Sequence, residues 1–567
     1  MIPLLQQAFP NFRIEQDKAG EVVLWIPTTS DLIPTLQRVK DDREFDLNLL
    51  SDITAYDNID HKDGPLRFIL VYQLYSIAKH HRLRIKLAID EGVQAPTATG
   101  VWPAADWLER ETFDMFGVRF AGHPDLRRIL MDERFQGFPL RKEYDLKDRQ
   151  PFPDAQDVRI IPKASLVKQE EPRTNLSDFY NPNVLVNIGP SHPATHGTLR
   201  AMCRVNGEII EDATCEIGYL HRAIEKLAEN KTYHQWIVYT DRLNYCSALT
   251  NNIAYVMTVE KILGIQITER CVWIRVICME LARIIDHLVC VAINALDMGA
   301  LTCFWYLYHW REEAYTMIEG MCGMRLTTSY ARVGGMMYDL PENFAAEMTK
   351  FLDGVPKTLD DVEKLLTSNR IWVDRTKGIG ILTPEEAIRY GVTGPCLRAS
   401  GVECDLRRDQ PYYTYPELDF DVVIGSQGDV YDRYLVRMEE MRQSLKILRQ
   451  CMQKLPAGPL WVADRRVQIP AKQDVYSKME VLIHHFKIFM EGINVPEGEA
   501  YNVVEAPNGE LGFYVVSRGG PKAWRVKIKS PSLLHFQSFE SSIRGTKISD
   551  AIAILGSLNI IAGELDR

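Results

Sequence analysis

Two imidazoles four positions apart, His192 and His196, sit in the run Asn187–Arg200, NIGPSHPATHGTLR. Histidine exchanges protons near neutral pH and hydrogen-bonds in either protonation state, so such a pair on a stiff loop suits proton transfer. A helical metal site is disfavoured. Pro193 lacks a backbone donor and pushes His192 out of the helical region, while Gly189-Pro190 and Gly197 flank the pair, so the rings do not share a helix face. From this segment by itself, a turn with two hydrogen-bonded histidines is the alternative. Downstream, Asp241–Asn252 reads DRLNYCSALTNN. Tyr245 is a phenol able to donate to a carbonyl oxygen, with both charge signs beside it in Asp241 and Arg242; the plain alternative is a core tyrosine at a helix start. His221-Arg222, in GYLHRAIEKL, reads as a solvated helix turn. His484-His485 are adjacent, about 100° apart on a helix, and do not readily share a metal.

The chain that must position these groups has 567 residues, too many for one compact domain. With 46% hydrophobic and 25% charged residues it can bury a large core, and a net charge of −10 excludes a basic nucleic-acid module. All 11 cysteines lie between Cys203 and Cys451 without a Cys-x-x-Cys pair; the closest spacings are Cys271/Cys278 and Cys396/Cys404. Iron–sulfur clusters and structural zinc need clustered thiolates, so no cluster is expected on this chain. Met1–Pro10 has neither a basic n-region nor a long apolar core, and the thiols fit a reducing cytoplasmic setting.

Leu288–Trp310 is 23 residues with one carboxylate, Asp297. A carboxylate at a bilayer centre costs roughly 2.5–3.5 kcal/mol, and Gly299 breaks the run, so two successive core helices are expected rather than a span. Upstream, Arg275, Glu280, Arg283, Asp286 and His287 interrupt the apolar pattern.

The first 150 residues read as mixed α and β. Strands are expected at Glu21–Pro27, Arg67–Tyr75 and Arg82–Asp90, the last with Leu83, Ile85, Leu87 and Ile89 alternating against Arg82, Arg84 and Lys86 as if one face were buried. Helices are expected at Asp31–Lys40 and at Pro103–Phe116, the latter capped by Gly117. The Pro-, Asp-, Lys- and Gln-rich stretch from Leu146 to Asn183 is a connector. Beyond it, Thr198–Glu216 carries Asn206-Gly207, a type I′ hairpin signal. Helical periodicity then dominates at Ile217–Lys231, Asn251–Leu263, Val272–Leu296, Phe304–Cys322, Asn343–Ser368 and Val430–Lys454, and Gly512–Lys529 reads as a hairpin turning at Gly519-Gly520-Pro521. The expected class is α+β: a small N-terminal α/β domain (1–147), a linker (148–183) and a large, mainly helical domain (184–567) with small peripheral sheets.

Together the motifs resemble one family over nearly the whole chain. Residues 106–146, DWLERETFDMFGVRFAGHPDLRRILMDERFQGFPLRKEYDL, look like the signature of the C subunit of respiratory complex I. Residues 184–567 look like its D subunit, through NIGPSHPATHGTLR, GYLHRAIEKL, KTYHQWIVYTDRLNY, ALDMGALT, DLRRDQPY, GDVYDRYLVRMEEMRQS, LIHHFK, VEAPNGELG and GELDR. The resemblance implies a fused C/D subunit of a bacterial proton-translocating NADH:quinone oxidoreductase, on the cytoplasmic side of the inner membrane and peripheral to it. It implies that His196 and Tyr245 face a quinone headgroup, that His192 forms a second wall, and that Asp297 is a buried aspartate coupled to His196. A carboxylate beside an imidazole links their protonation. It further implies that Arg222 and Arg242 lie near the terminal iron–sulfur cluster of the B subunit. FMN and clusters then belong to partner chains, with the I subunit, the E/F/G arm and the membrane-embedded H subunit among them; the quinone, ubiquinone or menaquinone, is substrate, and this chain alone binds no cofactor. For the N-terminal domain an assembly-scaffold role is expected.

Two departures stand out. The family carries histidine two residues after the arginine of its G-x-R block, a residue associated with pH coupling of the cluster potential; GMRLTTSYARVGG puts Thr327 there. FQGFP replaces the commoner W-x-G-H-P, an expected structural difference. The helical domain also resembles the large subunit of nickel–iron hydrogenases, but RLNYCS and GELDR lack the paired thiolates that hold nickel. A hydrogenase-type subunit and a pure scaffold are therefore the alternatives.

Overall fold

The computed structural model describes residues 1–148, 150 and 183–567, so nearly all of the expected linker at 148–183 lies outside the described residues. The class is α+β, with five small sheets among many helices.

The N-terminal sheet has the strand order Arg13–Gln16, Val22–Ile26, Arg82–Ile89, Phe68–Tyr75, Leu49–Asp57. Only Val22–Ile26 and Arg82–Ile89 pair in parallel. Expected strands and the helices at Leu32–Asp41 and Ala105–Phe116 form where the pattern placed them, and Gly117 caps the second helix at φ 78°. The strand Leu49–Asp57 escapes the pattern because both its faces are buried, polar Ser51, Asp52 and Thr54 included, so no alternation marks it.

The single buried face expected for Arg82–Asp90 is corrected: Arg84 and Lys86 are buried too. One side of this sheet packs inward through Leu70, Tyr72, Leu83 and Ile85. The other side, through Tyr56, Ile69 and Val71, meets Tyr501, Tyr514 and Val516 of a three-stranded sheet formed by Gly498–Ala506, Gly509–Ser517 and Arg525–Lys529. Glu499 on that second sheet receives Lys86 at 2.7 Å and Arg84 at 2.9 Å. The charged face is buried because its partners come from residues some four hundred positions away.

The helical part is organised around a central 29-residue helix, Glu269–Asp297. Along it, Arg275 pairs with Glu260 at 2.8 Å, Arg283 with Glu280, and His287 Nε2 with Glu440 at 2.8 Å, all of them buried. Gly299, at φ 91°, separates it from the next helix, Leu301–Cys322, as expected. Among the described residues no helix is long and apolar enough to cross a membrane. Helices at Ala248–Leu263, Phe344–Leu366 and Val430–Lys454 form as the periodicity predicts.

Two expectations fail in detail. The helix at Ile217–Lys231 is confined to Ile224–Asn230. The Asp566 carboxylate takes the backbone donors of Gly218, at 2.9 Å, and Leu220, at 2.7 Å, so residues 217–223 are held as a loop and His221-Arg222 is not a helix turn. In the hairpin, Asn206 pairs with Ile209, leaving Gly207-Glu208 as the two-residue loop, of which only Gly207 has positive φ. The turn is therefore not type I′ at Asn206-Gly207.

Candidate functional site

The histidine loop is a short turn locked from within. His192 Nδ1 accepts the Ala194 N–H at 3.2 Å, and the Thr195 hydroxyl lies 2.7 Å from the carbonyls of both His192 and Gly197. Pro193–Thr195 makes one 3-10 turn, after which His196 adopts the left-handed conformation at φ 54°. A side chain on Gly189 would collide with the Leu199 carbonyl, so the bend into the loop requires glycine there. The two rings differ in burial: His192 is exposed at the turn's start, and His196 is half-buried.

His196 Nε2 donates to Asp297 Oδ2 at 2.6 Å, and both side chains are about one-seventh exposed. Asp297 is the last residue of the central helix, so the carboxylate is presented by the most deeply anchored element of the fold. The bond assigns the Nε2–H proton to the carboxylate side and leaves Nδ1 as the ring's second proton site.

Tyr245 begins a 3-10 turn, Tyr245–Ser247, that leads into the helix Ala248–Leu263. Its ring packs with Ile293 and Tyr308 against Cys246, Val289 and Ile561. Ile293 lies one turn before Asp297, about 6 Å along the helix axis, so the phenol and the imidazole–carboxylate pair are set along one rod. Burial pushes the Tyr245 hydroxyl up to about 12, with Cys246 and Asp286 adding to the rise and Arg222 opposing it. The phenol is neutral at physiological pH and remains a proton donor.

The turn is fixed by Asn244, whose Oδ1 accepts the N–H groups of Cys246 at 3.0 Å and Ser247 at 3.3 Å. Its amide donates to Asp286 Oδ2 at 2.8 Å, and Asn559 donates to Asp286 Oδ1 at 2.6 Å. Burial raises the Asp286 carboxyl, while His287 and the two amides oppose the rise. Neither amide is conspicuous in the sequence. The signal that could have found them was Asp286 itself, a charge inside the apolar run ARIIDHLV.

Arg222 and Arg242 come together. Arg222 Nη2 donates to the carbonyls of Arg242 at 2.8 Å and Gly563 at 2.7 Å, and burial lowers its pKa, with Arg242 lowering it further. Arg242 is half-exposed, paired with Asp241 at 2.6 Å, and lines an open groove of about 790 Å³ with Arg325, Arg332 and Thr327. The 11 cysteines are buried free thiols, and among the described residues no group of three or more His, Cys, Asp or Glu is placed to hold a metal ion. His484 and His485 lie on the helix Met479–Met490.

Known proteins share this sequence over its whole length. Residues 26–150 match the family described as respiratory-chain NADH dehydrogenase, 30 Kd subunit, and residues 297–567 match the 49 Kd subunit of the same enzyme. The chain is 43% identical over 561 residues to the C/D subunit of NADH-quinone oxidoreductase from Bdellovibrio bacteriovorus, covering 98% of each chain. It is 41% identical to the C/D 2 subunit from Aquifex aeolicus, again over 98% of each. The D subunit from Pelobacter propionicus is 48% identical over 396 residues, 70% of this chain and 98% of that relative.

Proposed function

Because the chain belongs to the fused C/D subunits of NADH-quinone oxidoreductase, respiratory complex I, we propose that His196, Asp297 and Tyr245 form the quinone headgroup site of that enzyme. The observation that carries this reading is the 2.6 Å bond from His196 to Asp297 at the end of the central helix, with the neutral Tyr245 phenol packed one turn back on the same helix. A quinone that accepts two electrons must accept two protons to become a quinol. Tyr245 donates to one carbonyl oxygen, and His196 delivers a proton to the other while Asp297 stabilises the imidazolium that precedes transfer. His192 stands at the exposed rim.

Arg222 and Arg242 would lie near the iron–sulfur cluster of the B subunit, which would supply the electrons, and their positive charge would favour its reduced form. Thr327, in the groove beside Arg242, puts no titratable group at the position where the family carries histidine. The other subunits of the enzyme are its partners: the I subunit, the E/F/G arm with its FMN, and the membrane-embedded H subunit, through which the chain is held at the cytoplasmic face of the bacterial inner membrane. Residues 1–147 act as an assembly scaffold fastened to 184–567, whose helical core follows the hydrogenase large-subunit plan without its nickel ligands.

The test is Tyr245→Phe and His196→Ala in the assembled enzyme. Quinone reduction falls sharply while NADH oxidation by a water-soluble acceptor, which draws electrons upstream, is unchanged. Full quinone reductase activity in both variants would remove the site assignment.

A further inference from the structure

Resting on the headgroup reading above, we infer that Asp286 is the positioning residue that fixes the Tyr245 turn relative to the helix end against which His196 rests. Asp286 is fully buried on the central helix, about three turns before Asp297, and its carboxylate is bonded to amides rather than to either proton donor. Its two oxygens reach in opposite directions. Oδ2 accepts from Asn244, whose own oxygen caps the turn that begins at Tyr245. Oδ1 accepts from Asn559, the left-handed residue that closes the helix Ile548–Leu558.

That helix supports the histidine loop. Pro193–Thr195 packs on it, and a Cβ placed on Gly556 would stand 3.4 Å from Cε1 of His196. Asn559 donates its N–H to the Gly556 carbonyl, and its amide also reaches Asn508 Oδ1 at 2.5 Å. One carboxylate thus ties both donors' supports to a single point on a rigid rod. A carboxylate is required because both partners present N–H groups; any neutral isostere supplies an acceptor to one and a clashing donor to the other. The consequence for the reaction is a fixed spacing between phenol and imidazole. Small displacements of a donor from that spacing are costly to transfer.

The test uses the assembled membrane enzyme with a short-chain quinone as probe and NADH oxidation by a water-soluble acceptor as the upstream measure. Asp286→Asn lowers kcat/KM for the quinone about tenfold, chiefly through KM, and leaves the upstream activity intact. The exchanged pair Asp286→Asn with Asn244→Asp recovers KM to within about twofold, because the new carboxylate still caps the turn and accepts from the new amide, whose oxygen serves Asn559. A wild-type KM in the single variant, or no recovery in the exchanged pair, overturns the inference. Should Asp286→Asn fail to assemble, Asn559→Ala removes only the far arm, and an unchanged KM there overturns it equally. Tyr245→Phe run in parallel separates the two readings. Full activity in that variant sinks the headgroup site and this inference with it, whereas loss there beside an unaffected Asp286→Asn sinks the positioning role alone.

Discussion

The junction between the N-terminal sheet and the sheet at 498–529 and the histidine loop at 187–200 both bring charged side chains together, yet they do so in opposite ways. At the junction most ions are buried and several have more than one partner: Arg84 meets Asp17, Glu21 and Glu499, while Lys527 and Arg567 share Glu111. At the loop His196 has one carboxylate partner, and both remain in reach of solvent. A buried network of paired charges specifies one docking geometry. The same residue types build a buried frame in one region and a solvent-reachable pair in the other, and the difference lies in the number of partners and the burial.

The comparison breaks most severely where the junction loses a charge. Glu499→Ala leaves the Tyr56 hydroxyl at 3.4 Å as the remaining hydrogen-bond partner of buried Lys86, and lowers stability by about 3–5 kcal/mol, read by thermal unfolding of the purified chain. A milder route is acid. Burial raises the Glu499 and Glu510 carboxyls, but Lys86 and Arg84, and Arg82 and Lys529, overcome it and hold each at about 2 against an ordinary 4.5. Their contribution is therefore present above pH 4.5 and is lost as pH falls through 2, about 3 kcal/mol for each carboxylate. Burial lifts Asp52 and Glu564 to about 7, so their contribution runs the other way, present at acid pH and lost as pH rises through 7. The unfolding temperature measured across pH should fall steeply on the acid side and more gently near neutrality; a flat acid limb would contradict the junction's role.

At the loop the effects are on turnover, not on folding. Tyr245→Phe lowers quinone reduction about a hundredfold, near 2.7 kcal/mol, with the unfolding temperature unchanged. The smallest effect is expected from Gly556→Ala, whose methyl would stand 3.0 Å from Asn294 Oδ1 and 3.4 Å from the His196 ring. A drop in quinone turnover of about threefold, without change in upstream activity, would mark His196 as sensitive to its packing. A larger loss at Gly556 than at Tyr245 would put the packing of the imidazole above the phenol in importance.

Much of the scaffold was legible because its signals are local. The central helix, its neighbours and the cap at Gly117 follow from apolar spacing and terminators that neighbouring residues carry themselves. The exclusion of a helical His192/His196 pair was equally local, written in Pro193 and the flanking glycines. Less legible were segments whose partners come from afar. Residues 217–223 have helical periodicity but lose their backbone donors to Asp566, and Arg84 and Lys86 look solvent-facing until Glu499 arrives. In the site, the sequence supplied His196, Tyr245 and Asp297 as types and motifs, but not the amides of Asn244 and Asn559 that converge on Asp286.

By itself, then, the sequence determined the family, the α+β character, the stiff histidine turn and the chemical repertoire of a phenol, an imidazole and a carboxylate. Only the tertiary structure decided how the imidazole meets the carboxylate that the resemblance pairs with it, which charges are buried and paired, and how the tyrosine turn is tied to the helix beneath the histidine loop. The reason is physical: propensity and periodicity act over a few residues, whereas a hydrogen bond such as His196 to Asp297 spans 101 positions and exists only once the chain has closed around its central helix.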